Sequence, residues 1–477
     1  MCQFAFLAVL ARLLDPVAFG LMAMANIVLR FASFFAQVGF SQVLIQKSKV
    51  DAADTTAALV MALVISSLLY GVMALAAPLF AAAFQAPELV ALLGVLGLSL
   101  VLSVLGSLPL ALMRREARFK RVNAIEVVSF VLGYGAVGVA CASYGGGVWS
   151  LVAATLSQQS LCILLGFVSV KYPLSWPVQR TAVTRLWVAG SKYSLIGFFE
   201  FLFANIEALF IGRALGKFEL GLFNRAITLT NLPVEMGVGA VNKVLFPALA
   251  TMQNDRLRMA DGFQILLLGI GLFSTAVACG IAAAAPDVVA LLLGAKWLQV
   301  TPIVSVVAFA VPPMFMFVAC GVTLDSLAAL NAKLRLQVIM LVLKLVLVVS
   351  LAHWGLLGIA VAVVVAELIR LTFGMRLVAR LLSIEASQMW WQAALLLVVG
   401  LTMFIAVGGA AKMGDVLNLP LLGRVLLEVA VGLMTVACGL AWLLYRFKTY
   451  APLQRFDAVS QWHRQVLQAL SFKASTQ

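Results

Sequence analysis

The feature that most constrains this chain is a series of long apolar runs that follow one another with little between them. The segment Ile265–Ala285, for example, contains no charged side chain over 21 consecutive positions. A membrane-spanning helix needs about 20 mainly apolar residues to cross a hydrocarbon core of about 30 Å. A transmembrane β-barrel would instead show alternating segments of about ten residues. The runs therefore predict a bundle of membrane-spanning helices.

The overall composition excludes the main soluble classes of protein. The 477 residues are 64% hydrophobic and only 11% charged, whereas about 25% of the residues in an ordinary soluble domain are charged. A soluble enzyme, a nucleic-acid-binding protein and a disordered protein are all incompatible with these values. The net charge of +14 would suggest nucleic acid in a soluble chain, but here the basic residues separate apolar runs, where they set membrane topology.

We predict an all-α integral membrane protein with about fourteen transmembrane helices. The predicted spans are residues 1–13, 19–40, 56–83, 89–112, 122–143, 147–170, 187–211, 218–243, 262–284, 298–327, 334–353, 356–379, 390–411 and 421–445. The first run has only about ten apolar residues before Arg12, which is too short to span the bilayer. We expect this helix either to be truncated by the choice of start codon or to be only partly inserted.

The distribution of basic residues predicts the topology. Alternate loops and the C-terminal tail carry 24 of the 33 lysines and arginines, and the opposite loops carry six. Those six are Arg12, Arg213, Lys217, Lys296, Lys412 and Arg424. Because cytoplasmic loops are enriched in basic residues, the tail and the basic loops are predicted to be cytoplasmic. The remaining three, Arg30, Arg225 and Lys344, fall within predicted spans.

Two stretches of the chain resemble each other at an offset of 201 residues, which grows to about 210 further on. The matched residues are Ala11, Arg12 and Gly20 with Gly212, Arg213 and Gly221, and later Tyr144 and Gly145 with Trp354 and Gly355. An offset of six helices predicts two six-helix bundles in the same orientation, a parallel repeat of the kind that transporters use. Chance similarity between apolar helices is the alternative. The predicted organisation is an N-terminal bundle (1–170), a cytoplasmic linker (171–186), a C-terminal bundle (187–380), two additional helices (381–445) and a cytoplasmic tail (446–477).

Polar side chains inside the predicted spans form the candidate functional site. One stripe in the second span follows helical spacing and consists of Asn26, Arg30, Ser33 and Gln37. A second stripe in the eighth span consists of Asn224, Thr228, Asn231 and Glu235, with Arg225 adjacent. Ionisable groups at this depth are costly and usually face a cavity or a partner. The stripes therefore predict a hydrated, partly cationic cavity.

Further ionisable residues lie in other spans: Glu200 and Glu207 in the seventh, and Lys344 in the eleventh. Pairing that only joins helices, for example Glu207 with Arg225, is the structural alternative to a role in transport. The six cysteines form no Cys-x-x-Cys pair, and the only histidines are His353 and His463. These numbers predict no metal site, no cofactor and no catalytic triad.

Several motifs give the chain a resemblance to a known family. Ala11–Leu21 is similar to the opening of bacterial polysaccharide exporters of the colanic-acid and O-antigen type. The second half adds similar motifs at Asn205–Glu207, Ile211–Arg213, Leu220–Ala226, Phe246–Ala248 and Gly294–Trp297. The chain thus resembles the Wzx-like branch of the MOP superfamily, whose members include MATE-like transporters and flippases.

This resemblance implies a flippase in the bacterial inner membrane that translocates an undecaprenyl-diphosphate-linked oligosaccharide for surface polysaccharide synthesis, with no enzymatic activity. Substrate-binding candidates are Arg30, Asn26, Gln37, Asn224, Arg225, Asn231 and Lys344. Candidates for coupling to a proton or sodium ion are Glu200, Glu207 and Glu235. The implied partners are the lipid-linked oligosaccharide, membrane lipids, a polysaccharide polymerase and glycosyltransferases, and no nucleic acid.

Other functions compete with this interpretation. A lipid II flippase or a multidrug antiporter would share the fold, although a cationic cavity argues against the antiporter. A membrane polysaccharide polymerase should carry catalytic residues on a large extracytoplasmic loop. The predicted loops on that side are short and nearly uncharged, which argues against such an enzyme.

Overall fold

The computed structural model describes residues 2–36, 52–116, 118–170, 198–251, 256–327 and 329–446. Every regular element in these ranges is a helix, as predicted. Gln37, the predicted linker 171–186 and the tail from residue 447 onward lie outside the described residues. The predicted bundle boundaries that fall there remain predictions.

The chain folds into two compact units, of which unit 1 consists of Met1–Arg225 and Leu292–Trp297. Its helices are α1 (Cys2–Leu13), α2 (Pro16–Ala36), α3 (Ala52–Phe84), α4 (Glu88–Leu96), α5 (Leu98–Arg115), α6 (Phe119–Phe130), a π-helix (Val131–Gly138), α7 (Val139–Ser143), α8 (Val148–Ser169), α9 (198–214) and the start of α10 (Lys217–Thr251).

Unit 2 consists of Ala226–Leu291 and Leu298–Gln477. Its helices are the rest of α10, α11 (Arg256–Ala283), α12 (Ala285–Leu292), a 3₁₀ helix (Ala295–Val300) shared with unit 1, α13 (Thr301–Val307), a second 3₁₀ helix (Ala308–Ala310), α14 (Val311–Ser326), α15 (Leu330–Leu351), a third 3₁₀ helix (Ala352–Trp354), α16 (Gly355–Leu382), α17 (Ala386–Val416) and α18 (Leu421–Arg446).

The surface of these helices is apolar, which confirms the membrane prediction. On α3, Leu68, Leu75 and Leu79 are 65%, 84% and 73% exposed. A face of this kind would drive aggregation in water but is well solvated by lipid. Ten helical segments within the described residues are long and apolar enough to cross a membrane. The protein is therefore a multi-pass membrane protein, and the count of fourteen spans remains a prediction.

Two glycines matched by the predicted repeat both have a positive φ. Gly145 precedes α8 with φ +80°, and Gly355 begins α16 with φ +66°. Positive φ is costly for residues with a Cβ atom, so glycine suits both turns. Two positions that are 210 residues apart therefore both have a positive φ.

The helices α2 and α10 cross within unit 1 at two other glycines matched by the repeat. A methyl group on Gly20 would lie 1.7 Å from the carbonyl oxygen of Lys217, and one on Gly221 would lie 2.0 Å from the carbonyl oxygen of Pro16. Only glycine permits such a close approach of two backbones. The crossing fixes the start of α10, and therefore the position of Arg225 one turn later.

Candidate functional site

The centre of the candidate site is Arg225, which α10 places inside unit 1. Its guanidinium carbon lies 4.0 Å from the centroid of the Phe19 ring on α2. The residue is half-buried, and its buried Nε atom has no hydrogen-bond partner within the described residues. No carboxylate pairs with Arg225 in this part of the chain, so the ion pair with Glu207 is not formed. The ring holds the cation by a cation–π interaction that leaves the N–H groups available for other acceptors.

A π-helix brings a second polar group to this site. Gly133, Gly135 and Gly138 lie in the π-helix, and each packs tightly against a neighbouring side chain or backbone. A methyl group on Gly133 would lie 2.7 Å from Cβ of Gln158 on α8. Gly133 and Gly138 permit α8 to approach, whereas Gly135 packs against Phe6 of α1. The wider helix carries Tyr134 at its centre. Single-turn π segments occur frequently at functional sites.

The hydroxyl of Tyr134 lies 3.0 Å from Oγ1 of Thr155 on α8. Thr155 donates its one hydroxyl proton to the carbonyl oxygen of Leu151 at 2.8 Å. Tyr134 is therefore the donor to Thr155, and its own oxygen remains an acceptor. Because Tyr134 also interacts electrostatically with Arg225, the phenol oxygen and the guanidinium belong to one polar cluster.

A glutamine extends this cluster along α8. Gln159 follows Thr155 by four residues and so shares its helix face. Its buried Oε1 atom has no hydrogen-bond partner within the described residues. We define Phe19, Tyr134, Thr155, Gln159 and Arg225 as the Arg225 cluster. It combines one positive charge, uncharged hydrogen-bonding groups and an aromatic surface, which suits an anionic ligand with polar substituents.

The other predicted residues of unit 1 occupy varied environments. Asn26 is half-buried and lies seven residues from Phe19, on the same face of α2. Arg30 is exposed, and its carbonyl oxygen accepts a 2.8 Å hydrogen bond from Ser33. Asn224 and Glu200 are half-buried, whereas Glu207 is 5% exposed.

Unit 2 contains the remaining predicted residues. Asn231 is half-buried, Glu235 is exposed, and Lys344 is only 1% exposed at the centre of α15. Gln337, on the same face of α15, is fully buried, and neither amide atom has a hydrogen-bond partner among the described residues. One turn earlier, Lys333 pairs with Asp325 at 3.0 Å. A buried polar face therefore runs along α15 and includes Lys344.

Sequence reasoning missed Phe19, Tyr134 and Thr155. Phe19 is an ordinary apolar residue in the pattern, and its role depends on the crossing of α2 with α10. Tyr134 did carry a signal, since it stands between Gly133 and Gly135 within an apolar run. A polar aromatic residue flanked by glycines inside a span favours a local change in helix geometry.

Two ion pairs join distant parts of the chain within unit 1. Asp15 pairs with Lys296 at 3.4 Å, and Glu88 pairs with Lys217. In both pairs the acidic residue belongs to the first predicted repeat and the lysine belongs to the second. Both bases belong to the loops predicted to face away from the cytoplasm.

Trp297 stabilises the packing near the Asp15–Lys296 ion pair. Its side chain is fully buried, and its Nε1 atom donates a 2.8 Å hydrogen bond to the carbonyl oxygen of Ala11 at the end of α1. Its ring meets Phe19 edge-on at 5.6 Å. Phe19 thus contacts both Trp297 and Arg225, so this packing supports the Arg225 cluster directly.

Comparison with known sequences identifies the family. Residues 9–302 match the family described as "Polysaccharide biosynthesis protein". The chain is 23% identical over 374 residues to an uncharacterized membrane protein in the cps region of Klebsiella pneumoniae, covering 76% of each chain. It is 27% identical to the succinoglycan biosynthesis transport protein ExoT of Rhizobium meliloti, over 64% of this chain and 62% of that protein.

A further relative is the lipopolysaccharide biosynthesis protein WzxC of Escherichia coli, at 22% identity over 63% of this chain and 61% of that protein. The matched regions therefore span less than two thirds of ExoT and WzxC. Among solved structures, the lipid II flippase MurJ aligns with a TM-score of 0.65 at 12% identity, over 93% of this chain and 98% of MurJ.

A MATE family multidrug transporter of the MOP superfamily, in an inward-facing conformation, aligns with a TM-score of 0.60 at 17% identity, over 80% of this chain and 95% of that protein. At such low identity these two likenesses describe the fold. The sequence motifs, the family match and the shared fold together show that the chain belongs to the polysaccharide biosynthesis protein family and has the fold of the MOP superfamily transporters.

Proposed function

We propose that the protein flips an undecaprenyl-diphosphate-linked oligosaccharide from the cytoplasmic to the extracytoplasmic leaflet of the bacterial inner membrane, for the synthesis of a surface polysaccharide. The family and the transport and biosynthesis roles in the names of ExoT and WzxC support this function. The polymerase and glycosyltransferases that act on the same lipid are the proposed partners. The C-terminal tail would lie in the cytoplasm.

The observation that carries the proposal is the environment of Arg225. A diphosphate cannot cross hydrocarbon without losing its hydration, at a cost of many kcal/mol. A guanidinium offers paired N–H donors that match phosphate oxygens. Within the described residues no carboxylate neutralises Arg225, and the Phe19 ring restrains its plane. The Arg225 cluster therefore suits the diphosphate, while Tyr134, Thr155 and Gln159 suit sugar hydroxyls.

The other candidate residues extend this proposal. Arg30 and Lys344 would supply further positive charge, and Asn26, Gln37, Asn224 and Asn231 would hydrogen-bond sugars. The two predicted bundles would alternate access by rocking. The ion pairs Asp15–Lys296 and Glu88–Lys217 would then hold the extracytoplasmic side closed and break when it opens.

The most specific part of the proposal is the coupling of transport to the movement of a proton or sodium ion. Among Glu200, Glu207 and Glu235, Glu207 is the best candidate, because it is only 5% exposed. A carboxylate that binds and releases a proton or sodium ion needs such a protected environment. Glu200 is half-buried and Glu235 is exposed, which makes them weaker candidates.

Deletion of the gene in its host tests the function. The proposal predicts loss of the surface polymer and accumulation of its lipid-linked repeat unit. Wild-type protein supplied in trans should restore the polymer, and Arg225→Ala at equal expression should not. Normal polymer with altered drug tolerance would instead indicate a multidrug antiporter, and accumulation of lipid II would indicate a lipid II flippase.

A further inference from the structure

Unit 2 contains a cluster of charged residues that plays no part in the proposed function above. On α18, Arg424 and Glu428 are four residues apart and so share one helix face. Nη2 of Arg424 lies 3.4 Å from Oδ1 of Asp287 on α12, and Nη1 of the same side chain pairs with Asp415 on α17. Because Glu428 shares that face with Arg424, it lies on the side of α18 that meets Asp287. Three helices thus contribute to one cluster.

Glu428 is the unusual member of this cluster. The residue is 2% exposed, and neither carboxyl oxygen has a hydrogen-bond donor among the described residues. It lies about 10 Å along α18 from Leu421, at a rise of about 1.5 Å per residue. A buried carboxylate without a donor costs several kcal/mol. The charged form of Glu428 is therefore poorly accommodated.

Among the described residues, Arg424 is the only cation that an ion pair brings to this cluster. Further along α18, Val436 packs against an apolar cluster that includes Cys279 of α11 and Met403 and Val407 of α17. Gly432, one turn further along α18, packs against Met403. Lys412 on α17 is exposed and has no ion-pair partner within the described part of the chain. Within the described part of the chain, the charged groups at this site are therefore Asp287, Asp415, Arg424 and Glu428.

The net charge of the cluster indicates which ligand would neutralise it. The side chain of Asp415 is 62% exposed and is largely solvated, whereas those of Asp287 and Arg424 are 13% and 27% exposed. Arg424, Asp287 and Glu428 carry one excess negative charge when all are ionised. One proton makes this inner set neutral, which lowers the cost of burying it. The described residues contain no group of ligands able to hold a metal ion.

We propose that Glu428 and Asp287 share one proton and, with Arg424, form a proton-binding site in unit 2. A proton between the two carboxyl groups converts their repulsion into a hydrogen bond that links α18 to α12. Its release leaves two like charges side by side and weakens that link. The site is thus a pH-sensitive connection between α18 and the rest of unit 2.

Infrared difference spectroscopy on the full-length protein in lipid nanodiscs tests this site. Spectra recorded between about pH 5 and pH 9, where an ordinary glutamate is ionised, should show the carbonyl band of a buried carboxylic acid. The band should be lost in Glu428→Gln, which keeps the shape of the side chain. The exposed Glu385 supplies the matched control, and Glu385→Gln should leave the band unchanged. A band that survives intact in Glu428→Gln, or its absence from the wild type throughout, would overturn the proposal.

A second variant keeps the test decisive if Glu428→Gln does not fold. Asp287→Asn removes the neighbouring negative charge and retains Glu428. The midpoint at which the band disappears should then move to lower pH by about one unit or more. An unchanged midpoint would show that the two carboxyl groups do not share a proton. Neither measurement depends on transport, so the outcome is independent of the proposed flippase function.

Discussion

Gly20 and Gly221 are 201 residues apart in the chain and face each other at one helix crossing, where each would clash with the partner's backbone if it carried a side chain. Gly20 packs on Lys217 and Gly221 packs on Pro16, and these two contacted residues are also 201 apart. Such a reciprocal arrangement is what a local two-fold relation requires. The two glycines and the two residues that they contact thus share one offset, which equals the offset of the predicted repeat.

Alanine substitution at this crossing should destabilise the protein. In Gly20→Ala and Gly221→Ala the new methyl group would meet a backbone oxygen, which cannot move as a side chain can, so the expected cost is about 1–3 kcal/mol or more. The melting temperature and the monodisperse yield in detergent measure the effect. Gly94→Ala, where nothing lies within 4 Å, is the matched control and should be neutral or stabilising. Equal melting temperatures for all three variants would contradict the observed crossing.

Reversal of charge tests the ion pair between Asp15 and Lys296. Lys296→Asp should lower the melting temperature slightly, because a pair this exposed is worth about 0.2–1 kcal/mol, and two acids would then repel. Adding Asp15→Lys should restore most of the loss. Lys412→Glu, on an exposed lysine predicted to lie on the same side, supplies the control for a change in net charge. If the double variant is no more stable than the single one, the pair does not contribute.

Two substitutions separate the hydrogen bond of Trp297 from its packing. Trp297→Phe keeps an aromatic ring against Phe19 but leaves the Ala11 carbonyl oxygen without its donor, at an expected cost of about 1–3 kcal/mol. Trp297→Ala also opens a cavity and should cost about 3–5 kcal/mol. The melting temperature in detergent should therefore be highest for the wild type, lower for Trp297→Phe and lowest for Trp297→Ala. The same order should appear in polymer production, because Phe19 also supports Arg225.

Removal of the Tyr134 hydroxyl should affect transport more than stability. Tyr134→Phe retains the ring that stacks on Phe130 at 4.8 Å and removes an acceptor near Arg225. We expect a melting temperature close to that of the wild type and a lower polymer yield. Thr155→Val removes the acceptor for the tyrosine proton and should give the same phenotype in weaker form. A Tyr134→Phe variant with full polymer production would exclude the phenol from the substrate site.

Much of the helical framework could be predicted from the sequence, because apolar runs of the required length have few alternatives in a bilayer. The span predicted at 356–379 is helix Gly355–Leu382 in the structure. Gly20 and Gly221, which the predicted repeat matches, also lie at one helix crossing. These features depend on local composition and on similarity between two parts of the chain.

The missed features depend on contacts between helices. The π-helix at Tyr134 requires α8 to pack on Gly133 and Gly138. The spacing of apolar residues in the sequence does not indicate that packing. The ion pair of Arg424 with Asp287 joins residues 137 positions apart, and Arg424 was assigned from the sequence only to a loop. Arg30, predicted to lie within a span, is exposed in the structure. A helix pattern defines which residues share a face but not what that face meets.

The most direct test of the central claim measures where the lipid-linked oligosaccharide is located. Intact spheroplasts of the host are treated with a membrane-impermeant sugar-oxidising reagent, and the labelled fraction of the lipid-linked repeat is compared between strains lacking the polymerase. The proposal predicts extensive labelling with the wild-type protein, and about tenfold or more reduction with the gene deleted or with Arg225→Ala at equal expression. Arg225→Lys, which retains the charge, should label at an intermediate level. Equal labelling in the wild type and the deletion would contradict the flippase function, and equal labelling with Arg225→Ala would contradict the role of Arg225 in binding the diphosphate.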